Sequence, residues 1–85
     1  MADRLQDIRG KIDELDRRVA GLLARRFTLG VAISREGLKK KFTDTTREKK
    51  VLANAASAAG KPAYRRAVRA VYAEVIRQTK KLQKC

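Results

Sequence analysis

The stretch that decides the fold runs from Leu5 to Ile33: LQDIRGKIDELDRRVAGLLARRFTLGVAI. Its apolar residues fall at Leu5, Ile8, Ile12, Leu15, Val19, Leu22, Leu29 and Ile33. Steps of three and four line one face of an α-helix, and kept up over several turns they make a heptad seam. A helix is predicted over about residues 4–36. Asp3 serves as N-cap, Gln6 three residues later makes a weak capping box, and Gly37 is a natural stop. Asp13–Arg17 and Glu14–Arg18 have favourable i,i+4 spacing on the outer surface. Gly10, Gly21 and Gly30 each cost about 1 kcal/mol against Ala without breaking the pattern.

Two shorter helices follow. Residues 38–44 read as a basic loop containing Lys39, Lys40 and Lys41. A second helix is predicted from Thr45 or Thr46, with Thr45 and Glu48 at capping-box spacing, through an Ala-rich stretch to Gly60. Pro62 suits the first turn of a third helix, which carries Tyr64, Val68, Val71, Tyr72, Val75, Ile76 and Leu82 on one face. No strand alternation, internal repeat or low-complexity linker interrupts this reading. The expectation is one all-α domain over residues 1–85, with one long and two shorter helices.

Length adds a constraint. A helix of thirty-odd residues spans about 50 Å at 1.5 Å per residue. A compact chain of 85 residues has a diameter of only about 30 Å. Two short helices cannot cover the long seam, so a second copy of the chain is expected to bury it in an intertwined helical dimer.

Composition removes several classes of function. The chain has no His, which excludes a histidine general base, a Ser–His pair and a His-containing metal site. Its single Cys85 allows no internal disulfide and no CxxC site, which suits a reducing cytoplasm. No apolar run approaches the roughly 18–20 residues of a membrane span, and Met1-Ala2-Asp3-Arg4 does not open a signal peptide. No metal and no cofactor is expected. Twenty-two Lys and Arg against nine Asp and Glu give a net charge of +13, which by itself would suggest a nucleic-acid binder. Against that, the basic residues are spread over all three helices. There are only four aromatics, and neither a helix-turn-helix spacing nor a stacking platform is recognisable.

A few residues break the helical patterns. The next seam position after Leu22 is Arg26, flanked by Leu22 and Leu29. A guanidinium there is costly unless an anion pairs with it. It is either a snorkelling or structurally paired Arg or one that awaits an anionic ligand. In the third helix Thr79 and Gln83 extend the inward stripe of Val68, Tyr72 and Val75/Ile76. They read either as fraying into solvent or as neutral hydrogen-bonding groups facing a pocket. Glu48 suits capping, Lys39–Lys41 a solvated loop, and Arg9 the edge of a dimer seam.

Three blocks of these residues resemble the AroQ-class chorismate mutases. They are Ile8-Arg9-x-x-Ile12-x-x-Leu15-Asp16-x-x-Val19-x-x-Leu22-Leu23-x-x-Arg26, then Asp44-x-x-Arg47-Glu48, then Tyr72-x-x-Val75-Ile76-x-x-Thr79-x-x-x-Gln83. They stand in the family's order at nearly its spacing and cover most of the chain. The resemblance implies an intertwined dimer with two equivalent active sites that convert chorismate, a small dianion, to prephenate. It implies that Arg26 holds a carboxylate from within the chain and that Arg9 reaches across from the partner to the other. Glu48 and Asp44 would meet the substrate hydroxyl with Arg47 beside them, Thr79 would stand near a carboxylate, and Gln83 would bond the ether oxygen. The family's lysine near the end of the long helix falls on Gly37 when counted without gaps, so Lys39, Lys40 or Lys41 is the expected substitute. Rival readings are a related enzyme acting on isochorismate or aminodeoxychorismate, an inactive paralogue, and a basic nucleic-acid-binding helical protein. The missing nucleophile fits the mutase reaction, a unimolecular rearrangement that needs positioning and charge stabilisation and no proton transfer.

Overall fold

The computed structural model describes residues 3–38 and 44–84, which form three α-helices. They are α1, Arg4–Arg35; α2, Thr45–Ala58; and α3, Pro62–Lys84. No strand occurs among the described residues. The fold is all-α with one long and two shorter helices, as the apolar spacing predicts.

Each helix boundary has a local cause. The Asp3 carboxylate accepts from the Leu5 N–H at 2.9 Å and opens α1. At the other end, the Gly37 N–H donates to the Ser34 carbonyl (3.2 Å) and the Leu38 N–H to that of Ile33 (3.0 Å). Gly37 has φ 63°, which completes a left-handed helix terminus that glycine adopts without penalty. The start of α2 differs from the predicted capping box. Asp44 is the cap, and its carboxylate accepts from the Arg47 N–H at 3.0 Å. The carboxylate one residue earlier carries the charge that a helix N-terminus favours. Thr45 thus becomes the first helical residue, and Glu48 lies one position too late to close a box. Gly60, at φ 80°, turns the chain into Pro62 and α3.

Packing centres on α3, against which both α1 and α2 lie. The buried side chains among the described residues are Ala56, Val75, Thr79 and Gln83, so half of them are polar. Residues 4–22 of α1 are exposed throughout. The molecule measures 59 × 27 × 15 Å with a radius of gyration of 16.1 Å, against about 12 Å for a compact chain of this length. The N-terminal half of α1 therefore projects from the three-helix body, its apolar stripe in solvent. No helix among the described residues is long and apolar enough to cross a membrane.

Gly30 sets how closely α1 and α3 approach. A Cβ at this position would lie 2.7 Å from Thr79 Cγ2. The contact is rigid, because Thr79 is buried and its Oγ1 donates to the Val75 carbonyl at 2.7 Å. Gly30→Ala gains about 1 kcal/mol of helix propensity but meets an overpacking cost of about 1–3 kcal/mol. The expected net effect is a lower thermal midpoint. Adding Thr79→Ser removes Cγ2 and should restore the midpoint to at least the wild-type value. A Gly30→Ala single variant that melts above wild type would show that the helices part freely here.

Candidate active site

The crossing of α1 over α3, capped by the N-terminal turn of α2, encloses a cavity of about 280 Å³. This is near the lower end of small-molecule pockets, about 300–1,000 Å³. Arg26, Leu29, Gly30 and Ile33 line it from α1. Asp44, Arg47, Glu48 and Val51 face it from the cap and first turns of α2, and Ile76, Thr79, Lys80 and Gln83 from α3. The three sequence blocks, far apart along the chain, thus meet around one space. Six of the eight expected site residues line it: Arg26, Asp44, Arg47, Glu48, Thr79 and Gln83.

Arg26 is half-buried and held from two sides. Its Nη1 donates to Thr79 Oγ1 at 3.3 Å, and its guanidinium carbon lies 5.9 Å from the centre of the Tyr72 ring. Among the described residues no ion pair within 4.0 Å engages it, and the seam arginine is placed by neutral groups with donors left over for an anion. Thr79 and Gln83 do not fray into solvent; each is 8% exposed. Gln83 Nε2 donates to the Gly30 carbonyl at 2.8 Å, and Ser34 Oγ donates to the Gln83 carbonyl at 3.1 Å. Gln83 thereby has its amide fixed by α1 with a second N–H left for a ligand. Glu48 does not cap its own helix. Its Oε2 lies 2.8 Å from Lys80 Nζ, yet that oxygen is shielded from water and accepts no well-aligned hydrogen bond.

Two expected residues lie elsewhere. Arg9 is exposed on the projecting half of α1 and does not line the cavity. It stands 17 residues from Arg26, about 25 Å along one helix, so the two cannot grip one small molecule from the same chain. Lys39 falls, with Lys40 and Lys41, outside the described residues. Gly37 closes α1 as an exposed residue with open space around its Cα.

The sequence reading passed over three contributors: Lys80, Tyr72 as a support for Arg26, and Gly30. Lys80 carried a usable signal, because Ile76, Lys80 and Gln83 have the i, i+4, i+7 spacing of one helical face. Outside the cavity, hydrogen bonds from Gln78 and Arg77 hold the Glu74 carboxyl below its ordinary range on the exposed face of α3.

The fold and cavity define an all-helical protein whose pocket sets Arg26, Arg47 and Lys80 against Asp44 and Glu48, with the neutral hydrogen-bonding groups of Thr79 and Gln83 beside them. Compared with known families, residues 8–84 match the model of chorismate mutase type II, and the chain belongs to that family. The family's activity is that of an isomerase converting chorismate to prephenate in aromatic amino-acid biosynthesis. Comparison with curated proteins and with solved structures gave no match.

Gly37→Lys tests whether a cation grafted at the end of α1 can serve this cavity. A side chain in the left-handed region costs about 1–2 kcal/mol, and the position lies beyond the helix. The expected result is a lower melting temperature with no gain in kcat for chorismate. A rise in kcat would show that the cavity's cationic wall reaches the C-terminus of α1.

Proposed function

We propose that this chain carries out the chorismate-to-prephenate rearrangement in the α1–α2–α3 cavity, as a cytoplasmic homodimer whose partner completes each site. The observation that carries the reading is the convergence of Arg26, Glu48, Thr79 and Gln83 from three helices on one cavity of about 280 Å³. The substrate is a flexible dianion that reacts only from a compact conformer. Arg26 grips one carboxylate through charge-assisted hydrogen bonds, with Thr79 beside it. Gln83 donates to the ether oxygen, where negative charge grows as the C–O bond breaks. Glu48 accepts from the substrate hydroxyl, with Asp44 and Arg47 at the same end. Holding the two ends fixes the reactive conformer and removes much of the entropic part of the barrier. No proton moves and no covalent intermediate forms, so the absence of His is no obstacle.

The second carboxylate is assigned to Arg9 of the partner. Leu5, Ile8, Ile12, Leu15, Val19 and Leu22 are each 41–59% exposed. A continuous apolar stripe of this kind marks an interface, and its heptad spacing calls for another helix. In an antiparallel pair with its two-fold axis between residues 17 and 18, residue 9 of one copy opposes residue 26 of the other. The register that buries the stripe also brings Arg9 to the partner's cavity.

The direct test is chorismate disappearance with prephenate identified as product, beside isochorismate and aminodeoxychorismate as competing substrates. Sedimentation should give twice the chain mass at micromolar concentration. Arg9→Ala and Arg26→Ala should each lower turnover by orders of magnitude. Mixing the two variants should restore activity, because a heterodimer carries one site with both arginines and one with neither. Random exchange gives at most about a quarter of the wild-type rate, since half the dimers are mixed and each holds one intact site. Confirmed subunit exchange without recovery would show that the two arginines do not share a site.

A further inference from the structure

We propose that Lys80 is a catalytic residue: its ammonium, parked on Glu48 in the free protein, turns onto the bound substrate at the ether oxygen beside Gln83. The inference deepens the chorismate reading and rests on it.

Lys80 follows Thr79 and precedes Gln83 by three residues on α3, so its side chain leaves the same helical face as Gln83. Its ammonium crosses from α3 to α2 and stops 2.8 Å from Glu48 Oε2, with the lysine side chain 28% exposed. A surface lysine that served only solubility would point into water. The ammonium lies close to the shielded Glu48 oxygen, but that oxygen accepts no aligned hydrogen bond, which leaves it room to accept one from a ligand. An arriving hydroxyl can donate to that oxygen and release the ammonium. The long stem of lysine, with its compact charge, permits a swing of a few ångströms that a guanidinium locked in place does not. Arg26 is locked, held by Thr79 and Tyr72.

Charge accounting favours the same role. Arg26, Arg47 and Lys80 set against Asp44 and Glu48 leave one net positive charge at the cavity. Without Lys80 the cavity of one chain is neutral. With it, and with Arg9 of a partner, the site carries the two positive charges that a dianion requires. During the reaction the ether C–O bond breaks and a C–C bond forms within one molecule, with no change in proton or electron count. Lys80 keeps its proton and acts as a fixed positive charge. An ammonium near the oxygen where charge grows stabilises the transition state more than the ground state, so it acts mainly on kcat.

The decisive comparison is Glu48→Gln against the double variant Glu48→Gln/Lys80→Met, because both lack the acid that Lys80 would otherwise merely neutralise. If Lys80 acts on substrate, the double variant should show kcat about a hundredfold below Glu48→Gln, with a smaller change in KM. Glu48→Gln/Lys80→Arg should recover part of the loss. Equal rates for Glu48→Gln and the Met double variant would overturn the proposal and leave Lys80 a counter-charge. If the Met variant loses its helical circular dichroism, Lys80→Gln takes its place with the same expectation. If Glu48→Gln turns over too slowly, chorismate binding by calorimetry gives the comparison: about tenfold weaker in the double variant supports the role, and equal affinity overturns it. Folded wild-type protein that leaves chorismate unchanged would instead sink the underlying reading, and the Lys80 role with it.

Discussion

The site depends on the close crossing of α1 over α3 at Gly30. With no Cβ at Gly30, Thr79 can settle against the α1 backbone, and the Gly30 carbonyl is open to the Gln83 amide at 2.8 Å. From that crossing Arg26 lies one helical turn back along α1, where Thr79 Oγ1 and the Tyr72 ring hold it. A wider crossing would cost the buried Gln83 amide its bond to Gly30, at about 1–3 kcal/mol for an unsatisfied group. Glycine's helix penalty of about 1 kcal/mol is offset by geometry that no larger residue permits. Stability and function therefore converge on the same few atoms, and the core is partly built from the ligand-binding groups.

The electrostatic arrangement follows from the reaction's needs. Four of the seven ionisable and polar groups that line the cavity belong to short-range pairs: Arg26 with Thr79, and Glu48 with Lys80. Neither pair is deeply buried, so the free protein does not bear the full desolvation cost of isolated charges. Arg47 and Asp44 are joined through the backbone, since the Asp44 carboxylate caps the Arg47 N–H. One local helix-starting motif thereby sets an acid and a base at the same end of the cavity. On the proposed reading a dianion enters largely by exchanging partners, which keeps the donors preorganised where charge develops.

Much of this was legible in the sequence, because regular helices leave periodic traces. The steps of three and four from Leu5 to Ile33, the Pro62 start and the Gly37 stop placed α1 and α3 nearly to the residue. Arg26, Thr79 and Gln83 were legible because they break otherwise apolar stripes, and Asp44, Arg47 and Glu48 only through the family resemblance. Other features were not. Gly30 read as a defect in a helix, since a packing glycine and a destabilising one look alike until the neighbour across the crossing is known. Thr45 reads as the cap because Glu48 stands three residues on, and only the observed Asp44–Arg47 bond moves the cap one residue earlier. Lys80 was masked among 22 Lys and Arg, and only its spacing with Ile76 and Gln83 on one helical face marked its direction.

The division of labour along α1 is the least obvious consequence of its sequence. One uninterrupted register serves two different surfaces. From Leu5 to Leu22 the seam is apolar and exposed, with none of the described residues of its own chain covering it. At Arg26 the same register reaches α3, and the seam position changes from an apolar side chain to a guanidinium held by Thr79 and Tyr72. The change falls where α1 ceases to need a partner and begins to pack within its own chain. A guanidinium further toward the N-terminus would lie unsupported in the apolar stripe, and a side chain at position 30 would collide with Thr79. Position 26 is where the helix first meets neutral groups able to orient a cation, so on the proposed reading assembly and substrate binding occupy consecutive turns of one helix.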